Sequence, residues 1–193
     1  MELVWIRHFK TKGNKEQRYI GVTDESLEPP ENEMKQRHYP AVEEVIASPM
    51  KRCVETAYRI YQREPLWNEK LRECDFGRFE NHNYEELKQD KDYQAWLASS
   101  GKIEFPQGES RQAFQKRSVE GVIEVIDLLL EKGIQKAALV VHGGTIMAAM
   151  EVLGIPKKEF YDRQVDNGGG YITTIDEKEW KKGNRQVKEV KKL

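Results

Sequence analysis

Two short apolar segments of the sequence each end in a histidine. Residues 3–6, "LVWI", are followed directly by Arg7 and His8, and residues 137–141, "AALVV", are followed directly by His142. Short apolar runs of this kind predict strands that are buried on both faces of a sheet. In open α/β sheets, ligands bind in the crevice outside the carboxyl ends of the strands. Both histidines are therefore candidate site residues.

Arg52 breaks a local rule of helix formation. The stretch "ASPMKRC" at 47–53 predicts a helix start with Ser48 as the N-cap and Pro49 at the first helical position. Arg52 then falls in the first turn, where the helix dipole disfavours a cation. A local rule broken without compensation indicates a functional site. The alternative is an ordinary surface ion pair with a carboxylate such as Glu55.

The chemistry that these residues favour is phosphoryl binding. Gly143 follows His142 and lets the backbone approach a ligand closely at the start of a helix. If the strands are parallel neighbours, two imidazoles and the guanidiniums of Arg7 and Arg52 converge in one crevice. Fixed cationic and N–H donors stabilise the charge spread over phosphoryl oxygens. We therefore expect a phosphate ester as the ligand.

Such a site also needs a proton donor for the leaving alcohol. The turn-like stretch "LRECDFGRFE" offers Glu73, Asp75 and Glu80. A neighbouring phosphate would raise the pKa of a carboxyl, as a general acid at neutral pH requires. The residue pattern alone leaves all three carboxylates open.

The elements that must position these residues indicate an α/β fold. Strands are predicted at 3–6, 43–48, 137–141 and 171–175, with helices between them, one capped by Ser110 and another closed by Gly154. The charged stretch at 79–101 interrupts this alternation and predicts a helical cap over the sheet edge. We expect residues 1–193 to form a single domain that carries this insertion.

The composition excludes several classes of function. The 193 residues carry 32 Lys and Arg against 33 Asp and Glu, a net charge of −1, so we expect no nucleic acid or membrane as partner. No apolar stretch approaches the ~20 residues of a membrane span, and the first residues do not form a secretory signal, so we expect a cytoplasmic protein. Cys53 and Cys74 suit reduced, packed thiols. No metal-ligand cluster stands out, and His38 and His82 are expected at the surface.

Six sequence blocks together resemble the histidine phosphatase superfamily, the phosphoglycerate mutase-like proteins. They fall in the order of the family's motifs and read "RHFKTKGN", "YIGVTDESL", "ASPMKRCVETA", "LRECDFGRFE", "QGES" and "VVHGGTI". The first contains Arg7, His8, Thr11 and Asn14 at the family's spacing. The resemblance implies a three-layer α/β/α sandwich with a mostly parallel central sheet.

The resemblance also implies a role for each matching residue. His8 would be the nucleophile that forms a phosphohistidine, Glu73 the general acid and base, and His142 the third catalytic residue. Phosphate or substrate binding would fall to a wider set, Arg7, Thr11, Asn14, Arg52 and Gly143. No metal and no organic cofactor is implied. The partner would be a small-molecule phosphate ester.

Three positions depart from the family pattern. Phe9 stands where glycine usually follows the nucleophile, so if that backbone needs a positive φ or a close approach, the ring costs energy or reshapes the pocket floor. Lys10 stands where an acid is common. Asn81 replaces a glycine and tolerates a left-handed conformation. Phe9 also prompts a rival hypothesis, a phospholigand-binding protein without turnover, and the charged cap prompts another, a protein-interaction module.

The resemblance narrows the substrate only in part. Mutases of the superfamily are typically longer, so this compact chain favours a phosphatase over phosphoglycerate mutase-type transfer. The "HGGTIM" run and the length look most like α-ribazole phosphatases of cobalamin biosynthesis. Sugar phosphates and other phosphomonoesters remain open as substrates, and so does a homodimeric assembly.

Overall fold

The computed structural model describes residues 1–29 and 37–193, and its centre is a mixed sheet. Within those residues the sheet has seven strands in the order β3-β2-β4-β1-β6-β7-β5. The strands are β1 Glu2–Arg7, β2 Glu44–Ala47, β3 Leu66–Trp67, β4 Lys136–Val141, β5 Gly154–Ile155, β6 Gly170–Thr174 and β7 Val187–Lys192. The pairings of β1 with β4, β2 with β4, β2 with β3 and β5 with β7 are parallel, whereas β6 runs antiparallel to β1 and β7.

Helices cover both faces of this sheet. They are α1 Lys12–Lys15, α2 Lys51–Tyr61, α3 Tyr84–Leu87, α4 Lys91–Ala98, α5 Arg111–Glu131, α6 Gly143–Leu153 and α7 Glu177–Lys181, with 3₁₀ turns at Glu69–Leu71, Gly77–Phe79 and Phe160–Arg163. None of the helices in the described part of the chain has the length and hydropathy that crossing a membrane requires.

The alternation of side chains along β1 creates the layers. Leu3 and Trp5 pack with α5 and α6 on one face, whereas Val4 and Ile6 pack with α2 on the other. All four side chains are fully buried, and burying a side chain of this size stabilises the fold by about 1.5–3 kcal/mol. The predicted three-layer α/β/α sandwich with a mostly parallel sheet is confirmed.

Strand register brings the candidate site residues to one edge. Arg7 pairs with Val141 across β1 and β4, and Ala47 pairs with Val140 across β2 and β4. Because these three strands are parallel neighbours, their carboxyl ends lie side by side. His8, His142 and Ser48, which follow those ends, are thereby brought together.

Some elements differ from the sequence-based expectation. Ser48 is not the N-cap of α2, because that helix begins at Lys51 with Met50 as its N-cap and no side-chain cap. Strands β3 and β5 lie outside the predicted set, since each has only two residues. The cap at Ser110 is confirmed, because its side chain accepts a hydrogen bond from Ala113 N.

The stretch predicted as a cap contains α3 and α4 and contributes to a largely aromatic cluster. Phe79 and Tyr93 are buried in it together with Phe105, Phe114 and Phe160. Asn81 has a φ of 60°, so the left-handed conformation expected of this glycine replacement is present. Cys53 and Cys74 are both buried and free, as predicted.

Candidate active site

His8 emerges from β1 and is held by the carbonyl of its neighbour. Its Nδ1 atom lies 2.6 Å from Phe9 O. A carbonyl oxygen only accepts hydrogen bonds, so Nδ1 carries the proton and Nε2 keeps its lone pair. Burial lowers the pKa of His8 well below its ordinary value, and the nearby Arg52 and Arg7 lower it further. The ring is therefore a neutral imidazole whose Nε2 is unprotonated.

His142 faces His8 at the end of β4. The two rings meet edge to face, with their centroids 5.2 Å apart. Arg52 Nε donates to His142 Nδ1 at 3.3 Å, so the proton of His142 is on Nε2, which lies 2.8 Å from Ser48 Oγ. Burial, followed by the charge of Arg52, lowers the pKa of His142 well below its ordinary value. The side chain is completely buried and neutral.

Arg52 turns inward from the first turn of α2. Its Nη1 donates to Thr23 O and its Nη2 to Gly21 O, both at 2.8 Å. Glu55, the alternative surface partner, instead accepts a hydrogen bond from Leu27 N at 2.8 Å. Arg52 therefore ties the loop at 20–23 to His142.

Arg7 and Glu73 form the polar end of a cavity of about 250 Å³ that Gly143 and Gly144 also line. Arg7 Nη1 donates to Val165 O at 2.8 Å, and Arg7 Nε is buried without a hydrogen-bond partner among residues 1–29 and 37–193. Burial lowers the pKa of Arg7, which the charge of Glu73 partly offsets.

The carboxyl of Glu73 is held by backbone N–H groups. Cys74 N donates to one oxygen at 3.0 Å and Gly144 N to the other at 3.2 Å. Burial raises the pKa of Glu73, while these two hydrogen bonds and the nearby Arg52 and Arg7 work in the opposite direction. A Cβ atom on Gly144 would lie 2.3 Å from Glu73 Oε1, so a side chain at this position would displace the carboxyl of Glu73.

The other two carboxylate candidates have different contacts. Asp75 Oδ1 accepts a hydrogen bond from Gly77 N at 2.8 Å. Glu80 Oε1 accepts from Gly21 N at 2.8 Å and from Thr23 N at 2.9 Å. Of the three candidates, only Glu73 lines the cavity beside Arg7.

Thr11 and Asn14 form the start of α1. Thr11 is buried, and its hydroxyl accepts from Asn14 N while Asn14 Oδ1 accepts from Thr11 N at 3.2 Å, a capping box. Sequence reasoning missed Asn167, whose Nδ2 donates to His8 O at 2.9 Å and lies 3.3 Å from Asn14 Oδ1. The glycine run that follows Asn167 is the signal that could have drawn attention to this loop.

Phe9 does not reshape the floor of the cavity. Its side chain is only 4% exposed and packs edge to face on Tyr39, with ring centroids 6.2 Å apart. Its φ is not positive, and its N–H donates to Thr56 Oγ1 at 2.9 Å. The conformational cost of replacing glycine is therefore absent.

His8, Arg52 and His142 do not line the cavity.

His38 and His82 are exposed, as predicted. Clusters of three or more His, Cys, Asp or Glu side chains able to hold a metal ion are not found in the described parts of the chain.

Comparison with solved structures shows that the fold is a known one. The α-ribazole phosphatase from Shigella flexneri has a TM-score of 0.76 at 24% identity, with 92% of each chain covered. An Escherichia coli K-12 protein with a proposed α-ribazole-5'-P phosphatase activity has a TM-score of 0.79 at 24% identity, with 98% of this chain and 94% of that chain covered. A phosphoglycerate mutase from Thermus thermophilus has a TM-score of 0.65 at 27% identity, with 100% of this chain and 98% of that chain covered.

Comparison of the sequence identifies the family. No significant match among curated proteins was found. A model of the histidine phosphatase superfamily (branch 1), however, matches residues 3–186, which include all the blocks that carry the resemblance. The chain is an enzyme of the phosphatase type and belongs to branch 1 of the histidine phosphatase superfamily.

Proposed function

We propose that this chain hydrolyses a small phosphomonoester through a phosphohistidine on His8, without a metal or an organic cofactor. The observation that carries the proposal is that His8, whose Nε2 is unprotonated, and Glu73, a carboxyl of raised pKa, both lie near the charges of Arg7 and Arg52. A neutral imidazole can attack phosphorus, and a protonated carboxyl can release the alcohol. Arg7, a buried cation beside Glu73, is the third group that the proposed reaction uses.

In the first step His8 Nε2 donates its lone pair to phosphorus. The N–P bond forms as the P–O bond to the alcohol breaks, and the leaving oxygen takes the proton of Glu73. Arg7, Arg52 and His142 hold the equatorial oxygens, whose charge fixed donors stabilise. In the structure Arg52 donates its hydrogen bonds to backbone carbonyls and His142 donates to Ser48. This step therefore requires both side chains to exchange those partners for phosphoryl oxygens.

In the second step water attacks the phosphohistidine. Glu73, now ionised, takes a proton from the water as the new O–P bond forms and the N–P bond breaks. Inorganic phosphate leaves, and both His8 and Glu73 return to their starting protonation states. One carboxyl thus serves as acid and then as base.

Smaller roles are proposed for the remaining residues. Asn14 and Gly143 contribute phosphate contacts, and Thr11 acts by fixing Asn14 through the capping box. Residues 1–193 form one domain with the cap at 79–101. The protein acts in the cytoplasm on a small molecule, without nucleic acid or membrane as partner.

We propose α-ribazole 5'-phosphate as the substrate to test first, which would place the enzyme in cobalamin biosynthesis. The support is the resemblance of the sequence to α-ribazole phosphatases, together with the shared fold. A transfer reaction of the phosphoglycerate mutase type is the alternative outcome of a substrate screen.

Turnover of 4-nitrophenyl phosphate in excess chelator, compared between the native protein and two histidine variants, tests the proposal. We expect His8→Ala to abolish turnover and His82→Ala, which removes an exposed imidazole, to retain the native rate. The native protein should also trap an acid-labile phosphoryl label that His8→Ala lacks. A His8→Ala variant with the native rate would overturn the nucleophile assignment.

A further inference from the structure

The cavity beside Glu73 has a polar end and an aromatic wall. Arg7, Glu73 and the two glycines make the polar end. The wall includes the rings of Tyr19, Phe76, Trp96, Phe105, Phe114 and Phe160. A group that enters this space while its phosphate lies near Arg7 must be flat and apolar to bury its surface against so many rings.

Two polar groups of the wall, on Tyr19 and Arg111, are already paired, whereas Trp96 Nε1 is buried without a hydrogen-bond partner among residues 1–29 and 37–193. Tyr19 Oη lies 3.0 Å from Tyr93 Oη, so this hydroxyl has a partner within the protein. Arg111 lies 4.3 Å over the ring of Phe160 and is paired with Glu151 at 3.2 Å. Arg111 therefore extends the wall as a planar group with its charge compensated, and it is not a free anion site.

The predicted cap supplies one aromatic residue of the wall. Trp96 belongs to α4 and packs on Phe105, with ring centroids 5.1 Å apart. Tyr93 stacks on Trp96 at 6.0 Å with an interplanar angle of 18°. This aromatic packing fixes the orientation of the Trp96 and Phe105 rings before any ligand binds.

We infer that the substrate's leaving alcohol carries an apolar aromatic ring, and that Trp96 and Phe105 select it. The inference rests on the proposed phosphatase function and goes beyond it by assigning the selection of the alcohol to two named residues of the cavity wall. The volume of about 250 Å³ is just below the range of roughly 300–1,000 Å³ of pockets for drug-sized ligands. It therefore suits one mono- or bicyclic ring.

A pair of substrates with the same reacting group tests the inference. α-Ribazole 5'-phosphate and ribose 5-phosphate both release a primary 5'-alcohol of ribose, and they differ by the dimethylbenzimidazole ring. Differences in leaving-group chemistry are thereby removed. We expect kcat/KM to be at least about tenfold higher for the ring-bearing ester, the size of effect that apolar pocket contacts produce.

The variants Phe105→Leu and Trp96→Leu then assign the effect to the wall. Both should lower kcat/KM for α-ribazole 5'-phosphate by about tenfold and leave kcat/KM for ribose 5-phosphate near its native value. Trp67→Leu is the matched control, because Trp67 is 61% exposed on the edge strand β3 and does not line the cavity. Thermal midpoints of all variants show whether each remains folded at the assay temperature.

Calorimetric binding of α-ribazole, which lacks the phosphate, separates this inference from the proposed function. Turnover of both esters with equal kcat/KM would overturn the inference and leave the phosphatase proposal standing. Binding of α-ribazole that Phe105→Leu weakens, without turnover of any ester, would support the aromatic site and overturn the phosphatase proposal. Absence of α-ribazole binding at millimolar concentration, together with an unchanged substrate preference in both wall variants, would also overturn the inference.

Discussion

The Nδ1 atom of His8 lies 2.6 Å from the carbonyl oxygen of Phe9. This one hydrogen bond decides the tautomer of the ring, because the carbonyl can only accept. The side chain of residue 9 has no part in it, so a phenylalanine serves as well as a glycine. The feature that looks most unusual in the sequence thus preserves the backbone contact that prepares His8.

The first prediction concerns the protonation of His8. Burial and the two nearby arginines lower its pKa, so we expect the neutral Nδ1–H form to persist below pH 6.5, the ordinary range of a histidine. Long-range ¹H–¹⁵N NMR of the imidazole rings measures the tautomer and its titration, with His8→Gln used to assign the signal. A His8 ring that takes up a proton above pH 6.5 would contradict the prediction.

The second prediction concerns Glu73 as the proton donor. We expect Glu73→Gln to lower kcat/KM for an alkyl phosphate by about 10²–10⁴-fold, the usual contribution of a general acid. The loss should be much smaller for 4-nitrophenyl phosphate, because nitrophenolate leaves without needing a proton. Steady-state kinetics on the two esters measures the difference.

Asp75→Asn is the matched control for Glu73→Gln. Asp75 is two residues away, and its carboxylate accepts a hydrogen bond from Gly77 N. We expect this variant to keep near-native kcat/KM on both esters. Equal losses for the two esters in Glu73→Gln would show that Glu73 does not donate the proton.

The strand-end residues of the site could be predicted from local pattern. Arg7, His8 and His142 each follow an apolar run, and the parallel register of β1 and β4 then places the runs side by side. The prediction worked because short buried strands carry a strong signal in the sequence.

Contacts between distant segments could not be predicted in this way. Asn167 reaches His8 O across 159 positions of sequence, and no local pattern specifies that meeting. Ser48 satisfied the chemistry of an N-cap, but its hydroxyl lies against His142, 94 positions away. A serine hydroxyl suits either partner, so only the tertiary structure decides between them.

The third prediction links His142 to stability against pH. The pKa of His142 is lowered in the folded protein. Below about pH 6.5, His142 therefore binds a proton in the unfolded chain but not in the folded chain. The free energy of unfolding therefore falls as pH decreases through this range, by up to ~1.4 kcal/mol per pH unit for one group. The stability contributed by the neutral ring is fully present above pH 6.5.

Urea unfolding between pH 7.5 and 5 measures this dependence. His142→Gln removes one such group, so its stability should fall less steeply with decreasing pH than that of the native protein. Taking the difference between the two proteins cancels the titration of carboxyls such as Glu73, whose raised pKa acts with the opposite sign. Identical slopes for native and variant would refute the assignment.

The last prediction separates the ring of Phe9 from its carbonyl. The ring is buried against Tyr39 and Gly168, so Phe9→Ala should lower the free energy of unfolding by about 3–5 kcal/mol. The carbonyl that orients His8 remains, and the ring does not line the cavity, so kcat/KM below the thermal midpoint should stay within a few-fold of native. Phe9→Leu, which keeps most of the buried volume, should lose less stability with the same kinetics. A folded Phe9→Ala variant without turnover would instead mean that the ring itself supports catalysis.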